Sequence, residues 1–243
     1  MWKNNSLSIV MFAMFLACLA GHSYAGWKVY NDEQQQHGES PVTYGEFLRT
    51  SEFGETVFEN WESEFLQMGF YVILTVFLYQ RGSSESKKHD GTDEVDEDPE
   101  EHRNDPDAPL PVRRGGWRLA LYKMSLSLAF LLLFLISFLG HAASGARKFN
   151  EEEQAHGAAE TVTTLGYMAK PQFWYESLQN WQSEFLAVLA IVLLSVWLRQ
   201  WGSPESKPVH AAHTTPAPRD ARTERRRRPP GVHDRIPAHP RPR

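Results

Sequence analysis

The sequence predicts an all-α membrane protein with four transmembrane helices, arranged as two tandem duplicated helical hairpins in parallel orientation. Three observations carry this. Apolar residues gather in four runs, roughly 7–25, 65–79, 119–139 and 185–201, between strongly polar stretches. A signature is written twice: Asn60-Trp61-Glu62-Ser63-Glu64-Phe65-Leu66 returns as Asn180-Trp181-Gln182-Ser183-Glu184-Phe185-Leu186. Lys and Arg collect in the N-terminal, central and C-terminal segments and are sparser in the two remaining loops. The resulting division is a first hairpin over 1–87 (spans about 6–25 and 62–80), an acidic linker over 88–116, a second hairpin over 117–207 (spans about 119–142 and 182–201) and a basic tail over 208–243.

The first and third runs are about 20 residues long, the length of a helix crossing a hydrocarbon core. The second and fourth are shorter and cross only if the helix starts before the run, with Trp61 or Trp181 at headgroup level. None alternates like a barrel strand, so helices are the spanning form. The first run also resembles a secretory signal peptide ending at Ser23-Tyr24-Ala25. Its Ser6-Leu7-Ser8 and Gly21-His22 recur as Ser125-Leu126-Ser127 and Gly140-His141 in an internal run, so the first is expected to be retained as a span. Ala13, Ala17 and Gly21, four apart, form a small-residue strip suited to close helix packing. Cys18 is the only cysteine, which excludes an internal disulfide and a cysteine metal site.

Two loops carry matching polar stretches, Asn31-Asp32-Glu33-Gln34-Gln35-Gln36-His37-Gly38 and Asn150-Glu151-Glu152-Glu153-Gln154-Ala155-His156-Gly157. Glu33 with His37, and Glu152 with His156, stand four apart and offer two metal ligands each, too few to complete a site. A short helix capped by Asn and ended by Gly explains every position. No metal or other cofactor is therefore expected. The stretch 44–58, with Phe47, Phe53 and Phe58 among acids, is expected to pack on Tyr167, Phe173, Trp174, Tyr175 and Leu178 of the other copy. Glu64 and Glu184 stand where spans two and four begin. The helix dipole favours a carboxylate there, and a proton or cation site is the alternative. The Asn-Trp elements, through Asn60, Trp61, Asn180 and Trp181, are expected at the interface between the copies.

The linker is dense in Asp and Glu and has the composition of a disordered segment. The tail is rich in Pro and Arg, and Arg225, Arg226, Arg227 and Arg228 form a run suited to anionic lipid; nucleic-acid binding is not expected, because no aromatic platform accompanies it. The positive-inside rule puts both termini and the linker in the cytoplasm. Ser84-Glu85-Ser86-Lys87 matches a Ser-x-x-Lys pattern, but its companion motifs are absent and Pro204 replaces the serine in the second copy. Enzymatic activity is not expected.

The motif Asn180-Trp181-Gln182-Ser183-Glu184-Phe185, the closing Leu198-Arg199-Gln200 and Gly202-Ser203-Pro204-Glu205-Ser206-Lys207 resemble an uncharacterised bacterial multi-pass inner-membrane protein family, a domain of unknown function, over about 5–209. The resemblance implies a bacterial inner membrane and supplies no activity, ligand or catalytic residue. The expected role is that of a non-enzymatic component that packs against the bilayer and membrane-protein partners or further copies of itself. The alternative is a small oligomeric transporter or channel subunit for ions or protons.

Overall fold

The computed structural model describes residues 2–88, 93–157 and 161–213, and every regular element among them is helical. The chain divides into two compact units: one formed by residues up to Leu74 and from Asp98 to Val188, the other by Thr75–Glu97 and from Leu189 onward.

The first unit holds most of the helix. Helix α1 (Trp2–Gln36) runs without interruption past the expected end of span one, with a kink at Asn5. Helix α3 (Ser51–Phe77) starts well before Trp61. Met124 separates the short α5 (Gly116–Lys123) from α6 (Ser125–Ala155). Helix α8 covers Pro171–Trp197. Among the described residues three helices are long and apolar enough to cross a membrane: Asn4–Gln36, Ser125–Ala155 and Pro171–Trp197. By length and composition, then, three of the four expected spans qualify and α3 does not. Glu62, Glu64 and Gln67 interrupt the apolar stretch of α3, and the helix ends at Phe77 instead of reaching Gln80.

The polar stretches beginning at Asn31 and Asn150 are not separate capped helices; they are the last turns of α1 and α6. No residue between span and polar stretch breaks the helix. Asn31 is tolerated inside α1 because its side chain takes partners from elsewhere: Oδ1 accepts from the Val42 amide at 2.7 Å and Nδ2 donates to the Val42 carbonyl at 3.0 Å. Asn150 holds Val162 in the same way, at 2.8 and 2.9 Å. The real caps come next. Thr43 forms a capping box with Glu46 on α2 (Tyr44–Phe47), and Thr163 caps α7 (Thr164–Met168). Asn31→Ala removes two bonds that close the return loop, each worth about 1 kcal/mol. Faster amide exchange at Val42, with α6 unaffected, is the expected result by hydrogen-exchange mass spectrometry.

Of the aromatics in 44–58, Phe47 and Phe53 pack within their own copy, contrary to expectation, and Phe58 reaches α6 of the other. The Phe47 ring packs at a tilt against Tyr30 and Phe53, whereas Tyr167 and Phe173 close a core with Ala142 and Ala146. The copies meet instead where α3 lies on the small residues of α6: Gly54 faces Ser144, Gly69 faces Phe130, and the Phe58 ring lies on Gly140. Ala13, Ala17 and Gly21 are exposed, and no side chain approaches Gly21 within 4 Å. The described part of the linker carries a 3₁₀ turn at Glu94–Asp96 and a short helix α4 (Leu110–Arg114).

In the second unit, the two Gly-Ser-x-Glu-Ser-Lys segments fold into the same turn. Ser86 Oγ accepts from the Gln80 amide at 2.9 Å, and Ser206 Oγ accepts from the Gln200 amide at 2.9 Å. Gly82 and Gly202 both take positive φ, 85° and 82°. Ser84 Oγ donates to the Glu205 carbonyl, and Lys87 pairs with Asp96 at 2.8 Å, so this serine and lysine are not engaged with each other.

Candidate functional site

The acids of α3 form a stripe. Glu52, Glu55, Glu59 and Glu62 are spaced three, four and three apart, which puts them on one helical face. On α6, Ser137, His141, Ser144 and Lys148 stand four, three and four apart and make the matching polar face. Where the faces meet, ionisable groups leave water. Glu62 and His141 are both fully buried, and Glu55 is only 3% exposed. A buried carboxylate persists only with partners, and each of these has them.

Glu62 accepts from two sides. Its Oε2 lies 2.8 Å from His141 Nδ1, and its Oε1 accepts from Trp181 Nε1–H at 3.0 Å. His141 Nε2 lies 3.3 Å from Glu176 Oε2. The same Glu176 oxygen accepts from the Tyr167 hydroxyl at 2.6 Å, and Oε1 accepts from Gln172 Nε2 at 2.6 Å. Phe173 stacks on the His141 ring at 4.8 Å and closes one face of it. Lys148 bridges Glu55 at 2.7 Å and Glu52 at 2.9 Å. Ser51 Oγ donates to Glu151.

Burial, followed by the hydrogen bond to Glu176, raises the Tyr167 phenol. A cavity of about 210 Å³ opens beside the cluster, lined by Glu55, Lys148, Phe149, Glu152, Tyr167, Gln172 and Glu176. The arrangement can hold and pass protons along Tyr167, Glu176, His141 and Glu62, and it can present a nitrogen and carboxylate oxygens to a cation.

The residues singled out from sequence fall in several places. Trp181 and Asn180 join the cluster, Asn180 by donating to Glu59 at 2.6 Å. Their counterparts do not reach the other copy. Asn60 donates to the Thr56 carbonyl one turn back, and Trp61 packs on Phe15 and Phe58. Asn60, Trp61 and Glu64 instead line a separate apolar cavity of about 580 Å³ with His22 and Cys18. Glu184 contributes its backbone carbonyl, which accepts from Gln67 at 3.3 Å. Glu33 and His37 sit on the last exposed turn of α1 and share only a backbone bond. His156 turns Nδ1 onto the Glu152 carbonyl at 2.7 Å, so the ring caps the helix end and does not pair with the Glu152 carboxylate. Glu152 alone of these four lines the cavity beside the cluster. Arg225–Arg228 lie outside the described residues.

Sequence reasoning missed Glu55, Glu62, His141, Tyr167 and Glu176. The three-four-three spacing of acids on α3 was the available clue to the first two. A family model described as "Domain of unknown function (DUF6766)" matches residues 1–217. No curated protein matches the chain, and no solved structure does.

Proposed function

The chain belongs to this family of unknown function, and on that premise we propose that it is a multi-pass protein of a bacterial inner membrane, with both termini and the linker cytoplasmic. Its role is non-catalytic and lies in packing and partner binding. The observation that carries this is the use made of the charges. Glu62 is spent on His141 and Trp181, and Lys148 on Glu52 and Glu55, so they join helices of the two sequence copies. Large apolar side chains are left exposed along α1, α6 and α8, among them Leu7, Phe12, Leu132, Ile136, Leu186 and Leu194. That distribution suits lipid outside and ionic contacts inside. It also supports α3 as a fourth span, because Glu52, Glu55 and Glu62 turn toward Lys148 and His141 on α6. The chain is then two parallel hairpins.

The test is topological. In a Cys18→Ser background, His37→Cys and His156→Cys should react with a membrane-impermeant maleimide added outside intact spheroplasts. Labelling only after lysis sinks the proposed orientation.

A second reading, a proton or cation pathway in an oligomer, draws support from the buried chain of Glu62, His141, Glu176 and Tyr167 beside an open cavity. It requires ion or proton flux in liposomes that Glu62→Gln and Glu176→Gln abolish. Flux absent under every gradient removes it.

A further inference from the structure

We infer that Glu55, His141 and Glu176 form a binding site for a divalent first-row transition cation of the zinc class. Ligand atoms of the three lie within 4.8 Å of one another. A tetrahedral ion with bonds of about 2.0–2.1 Å keeps its ligands roughly 3.3 Å apart. The pair His141 Nε2 and Glu176 Oε2 already stands at 3.3 Å. The shift required of the Glu55 carboxylate is within the reach of its side-chain torsions.

The surroundings are those of a prepared ligand set. A metal-bound histidine ordinarily donates its other ring N–H to a carboxylate, which fixes the tautomer and aims the free nitrogen. Glu62 holds that position on His141 Nδ1, and Trp181 holds Glu62 in turn. Glu176 is oriented by two donors, Tyr167 and Gln172. Glu55 is steadied through one oxygen by Lys148. One nitrogen and two carboxylate oxygens suit zinc, cobalt or manganese better than calcium, which takes six to eight oxygens. The adjoining cavity gives the ion a route and a place for a fourth ligand such as water.

The carboxylates of Glu55, Glu59, Glu62 and Glu176 gather about the two basic side chains Lys148 and His141, and Lys148 is shared with Glu52.

The experiment uses the full chain, purified in detergent and stripped with a chelator. Titration with Co²⁺ should give visible d–d absorption that saturates at one ion per chain, and Zn²⁺ should displace it. His141→Gln and Glu176→Gln should abolish the band. Glu62→Gln, which keeps shape and the bond to Trp181, should weaken binding about 10- to 100-fold. Circular dichroism establishes that each variant is folded. His37→Ala and His156→Ala should leave the band unchanged. No band in the wild-type protein overturns the inference. So does a band that survives in folded Glu176→Gln or disappears with His37 or His156, which indicates an adventitious ion on exposed histidines only.

Discussion

Glu62→Leu lowers the stability of the protein by about 3–5 kcal/mol, the usual cost of breaking a buried ion pair from one side. Removal of the carboxylate takes the partner from His141 Nδ1 and from the Trp181 N–H, and the histidine cannot reach water, since Glu62 and His141 are fully buried. Glu62→Gln retains one acceptor oxygen, enough for the Trp181 N–H, and falls short of that loss. The contrast separates the charge from the shape. Unfolding in mixed micelles, followed by tryptophan fluorescence, reads both variants. Equal loss for Leu and Gln would mean that the ionic bond, and not the satisfied donors, dominates the site.

Gly140→Ala comes next in expected size. A Cβ at this position would stand 2.6 Å from Cγ of Phe58 and 2.7–2.9 Å from its neighbouring ring carbons. These atoms lie near the root of the ring, so rotation about χ2 does not clear them, and α3 must retreat from α6. Overpacking of this kind costs about 1–3 kcal/mol. Because His141 is the next residue, the retreat also lengthens the contact between Nδ1 and Glu62. Gly21→Ala, at the corresponding place in the first copy, meets no side chain and should be neutral. A thermal-unfolding comparison of the two variants checks the assignment. Equal effects would show that the α3–α6 contact does not limit stability.

Legibility followed the range of the interactions. Helical class and the apolar helices α1, α6 and α8 could be read because hydropathy over some twenty residues reports the solvent a helix requires. The end of each polar stretch at His-Gly could be read because a glycine with positive φ is a local matter. The start could not, since Asn31 and Asn150 look like caps until Val42 and Val162 are seen beside them. On α3 the acids at 52, 55, 59 and 62 carry a helical period, but sequence alone treats 44–58 as a packing segment separate from the span starting near 62, which cuts the stripe in two. His141 was visible only as half of a repeated Gly-His pair. Nothing in the spacing of Tyr167 or Glu176 discloses that both meet it, because that depends on the register between helices.

The cluster takes three of its four acids, Glu55, Glu59 and Glu62, from the first copy, and takes Glu176 and the basic groups His141 and Lys148 from the second. At the corresponding places the chain has Gln182 for Glu62 and Phe47 for Tyr167, so the two halves are no longer interchangeable. That asymmetry sets a timetable for biogenesis. In the membrane reading, α3 leaves the ribosome with its acidic face long before α6 exists to neutralise it. Its insertion must therefore wait for the second half of translation, while α1 enters at once. Release of the nascent chain anywhere in the linker would strand α3 outside the bilayer, and quality-control proteases would meet it there.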